Sequence, residues 1–256
     1  MNDDNDIRLA VLIDAENASR KDMKAVMEEI ARYGRATIKR AFGDWVSLAG
    51  WKQTLLDLAI NPVQQYAYTT GKNATDAAMV INAMDILHDG DVEGFVLVSS
   101  DSDFTPLVMR LRESGRKVIG VGELKTPKPF IRACDKFIYT ENLQPAAEES
   151  PGAAKPAAAK AESGTAENAQ QSAPVAKKPI SAKTVRLIAE SIKEIAGDDG
   201  KCLMGALANL IYKKQPDFDP RSYGFSRLSK MLKSIDRFEV VIDGTHSTVK
   251  DKKEKG

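Results

Sequence analysis

The sequence predicts an α/β protein: a mostly parallel sheet flanked by helices, followed by a small winged-helix-like C-terminal domain. Three observations carry this. Six short apolar runs of strand character alternate with helical patterns through residues 1–143. Residues 144–176 then contain no aromatic, Leu or Ile, and are rich in Ala, Pro, Glu, Ser and Gln. Beyond them, three amphipathic stretches end in a run with a hairpin signal.

The strand runs are Ile7–Ile13, Ala36–Phe42, Val63–Tyr68, Phe95–Val98, Val118–Val121 and Lys136–Tyr139. Between them, residues 20–33 place Met23, Val26, Met27 and Ile30 on one helical face. Residues 76–88 do the same with Ala77, Val80, Ile81, Met84 and Leu87, and residues 104–113 with Leu107, Val108 and Leu111. Short buried strands alternating with helices imply βαβ units in a parallel sheet covered on both faces. Trp45 and Trp51 fall in a further helical segment, where one of them is expected in the core.

In the C-terminal part a first helix over about 181–196 carries Val185, Ile188, Ile192 and Ile195, with Ser181 as its N-cap. A second carries Leu203, Leu207, Leu210 and Ile211. A third, about 224–235, carries Phe225, Leu228, Met231, Leu232 and Ile235, and Asp243-Gly244 marks a hairpin turn. Three helices and a wing form a pattern whose third helix often contacts nucleic acid, and which also serves protein docking. Arg227, Lys230 and Lys233 are its basic exposed positions.

The expected organisation is a domain over 1–143, a disordered linker over 144–177, a second domain over 178–250 and a disordered basic tail over 251–256. The chain's net charge of +1 averages unlike parts. Residues 1–143 hold 18 basic and 21 acidic side chains, a net −3; residues 144–176 carry −2, and residues 177–256 carry +6. A basic module tethered to a slightly acidic one suggests a nucleic-acid-binding appendage on a catalytic core, although the KDKKEKG tail supplies part of that charge. No apolar run approaches a membrane span, and the acidic N-terminus is not a secretion signal. Two distant cysteines, Cys134 and Cys202, argue against a disulfide scaffold or a cysteine zinc site and fit the cytoplasm.

Ligands of parallel sheets bind beyond the carboxyl ends of the strands, and acids stand there. Asp14 follows IRLAVLI, with Asn17 three residues on. Asp101 and Asp103 follow FVLVSS, and Asp76 opens a helix in KNATDAAMVINA. Clustered carboxylates repel one another, and a hard divalent cation such as Mg²⁺ would relieve this while activating water against a phosphodiester. Simpler roles compete: Asp103 as a helix N-cap, Asp76 as a helix-dipole partner, Asp14 as a loop acceptor. Asn17 and Ser99 are candidates for orienting the acids. Lys72 in GKNATD is a candidate phosphate contact, and Lys125 and Lys128 are candidates for guiding a backbone. GxxxxGK[ST] and GxGxxG are absent, and His88 and His246 are isolated.

The series LAVLIDAEN, KNATDAAMVINAM and FVLVSSDSDFTPLVMRLRESGRKVIGVG resembles the NYN domain of the LabA-like group, related to PIN-domain and FLAP nucleases, over nearly all of residues 7–143. The resemblance implies a PIN-like fold with Asp14, Asp76, Asp101 and Asp103 as a catalytic cluster for Mg²⁺ or Mn²⁺, Asn17 beside it, and RNA cleavage. The stretch PDFDPRSYGFSRLSKMLKSIDRFEV resembles the LOTUS (OST-HTH) domain over about 178–250. That implies RNA binding, with Arg221, Tyr223 and Lys230 as contact candidates beside the basic position Arg227, although Tyr223 and Phe225 are also candidates for the core, and leaves protein partners open. The expectation is therefore a metal-dependent ribonuclease with RNA held by the second domain; a non-cleaving RNA-binding adaptor is the rival. A phosphatase-like hydrolase is disfavoured because DAEN lacks a DxD arrangement.

Overall fold

The computed structural model describes residues 7–65, 74–143, 178–197, 199–243 and 246–253. Lys72, the expected linker over 144–177 and the last three tail residues lie outside them. In chain order the first unit runs β1 Arg8–Asp14, α1 Met23–Ile30, β2 Arg35–Gly43, α2 Lys52–Asp57, β3 Asn61–Gln64 and α3 Ala74–Asp89. It continues through β4 Gly94–Val98, α4 Thr105–Glu113, β5 Lys117–Gly122, α5 Lys128–Ala133 and β6 Lys136–Tyr139. All six strands pair parallel in the order β3-β2-β1-β4-β5-β6. The order reverses between β1 and β4, and such a switch point is where open α/β sheets bind ligands.

β1 shows why these residues make a central strand. Leu9, Val11 and Ile13 enter the core on one face, with Met23, Val26 and Ile30 of α1; Ala10 and Leu12 enter the other, with Met79 and Val108. Helices therefore seal both faces, as a continuous apolar strand requires.

α3 departs from expectation. Its buried residues are Thr75, Ala78, Met79, Ala83, Ile86 and Leu87, while Ala77 is exposed and Ile81 is 60% exposed. The helix is apolar nearly all round, so its sequence carries two competing stripes and no unique phase. α5 was not foreseen. Nor was the split of the tryptophan segment into a 3-10 turn, Ala49–Trp51, and α2; Trp51 is buried and Trp45 meets it edge-on, ring centroids 6.4 Å apart.

The second unit comprises α6 Ala182–Ile195, β7 Lys201–Leu203, α7 Met204–Lys214, α8 Leu228–Lys233, β8 Phe238–Asp243 and β9 His246–Asp251. Ser181 caps α6 by accepting from the Thr184 amide. β7, too short to register in the sequence, joins the hairpin in an antiparallel sheet ordered β7-β9-β8. The third helix is shorter than expected. Residues Pro220–Tyr223 form a 3-10 turn that Gly224 ends at φ 85°, a left-handed conformation suited to glycine, and α8 starts only after Arg227. Order also continues past residue 250: Asp251, 3% exposed, takes two nitrogens of Arg237.

Candidate functional site

Asp14 ends β1 with no exposed surface. Its Oδ1 accepts from the Asn17 amide at 3.2 Å; its Oδ2 accepts from Asn17 Nδ2 and from Ser99 Oγ, both at 2.8 Å. Three of a carboxylate's roughly four acceptor positions are thus filled, which is how this acid tolerates burial. Ser99 follows β4 and passes the connection on: its Oγ accepts from the Asp101 amide at 3.0 Å. Asp101 in turn accepts from the Asp103 amide at 2.8 Å, capping the 3-10 turn Ser102–Phe104. The cap is therefore Asp101. Asp103, for which a cap was the competing simpler role, lies within the turn and is exposed.

Asp76 lies in the first turn of α3. Burial, then the charges of Asp14, Asp101, Glu16 and Asp103, push its carboxyl up to about 6. The Ser99 bonds to Asp14 and Asp101 and the Thr75 bond to Glu16 bring acids from three chain segments together at the switch point. Glu16, which the sequence reading passed over within DAEN, is one of them. Its Oε1 accepts from Thr75 Oγ1 at 2.9 Å and so ties the loop after β1 to the start of α3. Among the described residues no three His, Cys, Asp or Glu side chains close on one point as a metal cage.

The loop after β4 packs against the end of β5. A Cβ on Gly122 would stand 2.7 Å from the Ser99 carbonyl oxygen and 2.8 Å from Thr126 Oγ1, so this close approach requires glycine. A small pocket opens here, lined by Asn17, Ser19, Ser99, Gly122, Glu123 and Thr140.

The candidate RNA contacts separate. Lys125 is exposed and pairs with Glu123 at 2.8 Å. Arg227 and Lys230 are exposed on the second unit. Tyr223 is half-buried, its ring 6.0 Å from that of Phe218 and its hydroxyl 3.3 Å from Thr184 Oγ1. Arg221 is placed otherwise than expected: its guanidinium is committed to Asp219 and to Glu29 of α1. An arginine bound at both edges of its fork has few donors left for phosphate.

A parallel sheet flanked by helices, with carboxylates gathered where its strand order reverses, defines an α/β protein of the PIN-like kind. The chain belongs to the NYN domain family, which it matches over residues 8–142, and residues 177–249 match the OST-HTH/LOTUS domain. NYN domains are PIN-like nuclease domains, and LOTUS domains bind RNA. An uncharacterized protein of Methanocaldococcus jannaschii is 26% identical over 119 residues, 45% of this chain; the chain spans about half of that relative, 47%. A crystal structure of a Vibrio parahaemolyticus protein of unknown function is 18% identical, covering 54% of this chain and 96% of that one with a TM-score of 0.46. A solution structure of an uncharacterized Nitrosomonas europaea protein is 24% identical, covering 38% and 96%, with a TM-score of 0.27.

Proposed function

We infer that the protein is a metal-dependent ribonuclease, of the LabA-like group, that hydrolyses RNA phosphodiester bonds. The observation that carries this is the gathering of acids from three chain segments at the switch point, tied together through Asn17, Ser99 and Thr75, with the Asp76 carboxyl raised in their company. The donor set fits a hard cation. Every group is an oxygen, and among the described residues Asp14 Oδ1 accepts from the Asn17 amide alone. Mg²⁺ keeps several waters and needs only one or two carboxylates, so a closed cage is not required. Asp14, Asp76, Asp101 and Asp103 would hold Mg²⁺ or Mn²⁺, which when bound supplies charge neutralisation at the phosphate and a more acidic water.

The chain's own residues do the rest. Asn17 and Ser99 fix Asp14 in one orientation, and Ser99 sets the backbone that carries Asp101. Asp76, raised to about 6 by burial and then by the neighbouring acids, is the carboxylate whose charge a bound cation would relieve most. Lys125, Arg227 and Lys230 are the RNA-backbone contacts we favour, with Lys72 a further candidate. No described helix is long and apolar enough to cross a membrane. We place the protein in the cytoplasm on its two free, buried cysteines.

A second reading, an RNA-binding adaptor that does not cut, is favoured by the nearly complete satisfaction of Asp14 by protein donors. End-labelled structured and single-stranded RNAs, incubated with Mn²⁺, Mg²⁺ or EDTA, separate the two. Cutting that requires metal and disappears in Asp14→Asn and Asp101→Asn supports the ribonuclease. Tight RNA binding with equal background cutting in all three proteins establishes the adaptor.

A further inference from the structure

The two units meet along β6, whose carboxyl end leads into the pocket beside the acids. Thr140, which lines the pocket beside Asn17 and Ser99, directly follows β6. Two residues on, Asn142 Nδ2 donates to Ser222 Oγ at 2.9 Å. Tyr139 donates its hydroxyl to Asp217 at 2.8 Å. The Phe137 amide, on the outer strand of the sheet, donates to the Pro216 carbonyl at 2.9 Å. On the neighbouring helix Glu29, only 5% exposed, receives both terminal nitrogens of Arg221 at 3.0 Å. Between these contacts the Lys136 ammonium sits 3.6 Å from the centroid of the Tyr212 ring and 5.1 Å from that of Tyr33.

Each contact answers a need of the first unit. β6 is a sheet edge, and an uncovered edge leaves ladder groups open to foreign strands. A carboxylate buried on a helix is costly without a paired, hydrogen-bonded cation. Residues 212–222 of the second unit meet both needs with directional bonds, and directional bonds select one orientation. A free tether would instead supply only a raised local concentration over many orientations.

We propose that this interface holds the C-terminal domain in one orientation beside the acid site, so that RNA gripped by its exposed Arg227 and Lys230 reaches the acids at a set distance. Cleavage then falls in a fixed register from the gripped element. The proposal rests on the ribonuclease reading for its cutting step and on the interface alone for its docking step.

The full chain tests both. Small-angle scattering reports docking without reference to activity, and a labelled RNA with a short hairpin and a long single-stranded tail reports register in Mn²⁺. The wild-type chain is expected to scatter as one compact particle and to cut within a narrow window. Glu29→Arg and Arg221→Glu, which break the pair from opposite sides, should each enlarge the particle and widen the window several-fold. The double variant, which restores opposite charges in reversed order, should recover compactness in part and so guards against simple misfolding. An extended wild-type particle, or single variants as compact and as narrow in cutting as the wild type, overturns the proposal. A compact wild type that cuts nothing overturns the ribonuclease reading and the register, while loss of compactness in the single variants still upholds docking.

Discussion

Glu29 and Arg221, 192 positions apart, form a two-point ion pair with both nitrogen–oxygen distances at 3.0 Å. Burial disfavours the Glu29 charge, but the hydrogen bonds and charge of Arg221, with Arg32 and Tyr33, prevail and hold its carboxyl below the usual range. The two ends are unequally exposed, 5% for Glu29 against 26% for Arg221. Arg221→Ala removes the main partner of the more buried charge, and breaking such a pair costs about 3–5 kcal/mol when both ends are buried. With Arg32 still at 3.0 Å, a loss of about 2–3 kcal/mol is expected. Glu29→Ala should cost less, because Arg221 keeps Asp219. Urea unfolding followed by the fluorescence of Trp45 and Trp51 measures both; an equal or reversed order would contradict this account.

The same pair sets an acid limit. A carboxyl whose folded pKa lies below its unfolded value contributes stability that is complete above the unfolded value, about 4.3 for glutamate. That contribution fades as pH falls through the folded value. Asp251, lowered by Arg237 and the Lys253 amide against the opposing effect of burial, acts in the same direction. The contribution of these two acids should therefore hold from pH 7 to about 5 and decline below, less steeply in Glu29→Gln, while Asp76, raised to about 6 in the fold, pulls the opposite way as pH falls through that value. Lys136 acts oppositely: burial pushes it down to about 8 in the fold. Between that value and its unfolded value of about 10.4 the unfolded chain binds more protons, so this lysine makes stability rise with pH. The rise should be missing in Lys136→Met, as melts from pH 7.5 to about 9.5 would reveal.

Ser99 joins two acids through one hydroxyl. Ser99→Ala leaves Asp14 Oδ2 with Asn17 alone and strips the Asp101 amide of its acceptor. Each buried polar group left unsatisfied costs about 1–3 kcal/mol. Loss of a partner that orients a metal ligand typically lowers activity about 10–100-fold. Both losses should appear, in thermal melts and in initial cutting rates; a stable variant with full activity would remove Ser99 from the site.

Gly122→Ala tests the packing behind the site. The added methyl would meet the Ser99 carbonyl at 2.7 Å and Ser100 Oγ at 3.0 Å. Backbone is the harder obstacle, so the loop carrying Asp101 and Asp103 must shift. Overpacking of this kind costs about 1–3 kcal/mol. Activity should fall further than stability, because a small displacement of catalytic groups is amplified in rate. Comparing cutting rates well below the melting temperature separates the two effects.

Much of this was legible in the sequence, and its omissions have physical causes. β1, β4 and β5 announce themselves because strands buried on both faces demand uninterrupted apolar runs. The edge strand β3, Asn61–Gln64, begins before the expected Val63–Tyr68 run, whose last three residues lie outside the described residues. Asp14 and Asp101 stand out because they close such runs. α3 misleads because it is apolar nearly all round, so its packing with Ala10, Leu12 and Phe42 chooses the buried stripe. Glu29 reads as a surface glutamate of an amphipathic helix until Arg221 is brought to it from 192 positions away. Glu16 is hidden in DAEN because its partner, Thr75, lies 59 positions on. Local patterns expose what is satisfied locally; pairs across the chain wait for the fold.

Mutual repulsion among the acids gives a final prediction. The charges of Asp14, Asp101, Glu16 and Asp103 all act, after burial, to raise Asp76, so the metal-free site stores unfavourable energy. Asp101→Asn removes one of those charges but keeps an oxygen to accept from the Asp103 amide. The metal-free variant should therefore melt no lower than the wild type, and by the usual trade between activity and stability somewhat higher. Mn²⁺ should reverse the order. A ligand that binds only the folded state stabilises it by about 2.7 kcal/mol at a hundredfold excess over Kd, and the variant should lose most of that gain. Paired melts in Mn²⁺ and EDTA decide the matter without any RNA present. A wild type indifferent to Mn²⁺, or a variant that gains as much as the wild type, would mean that these acids do not form a cation site.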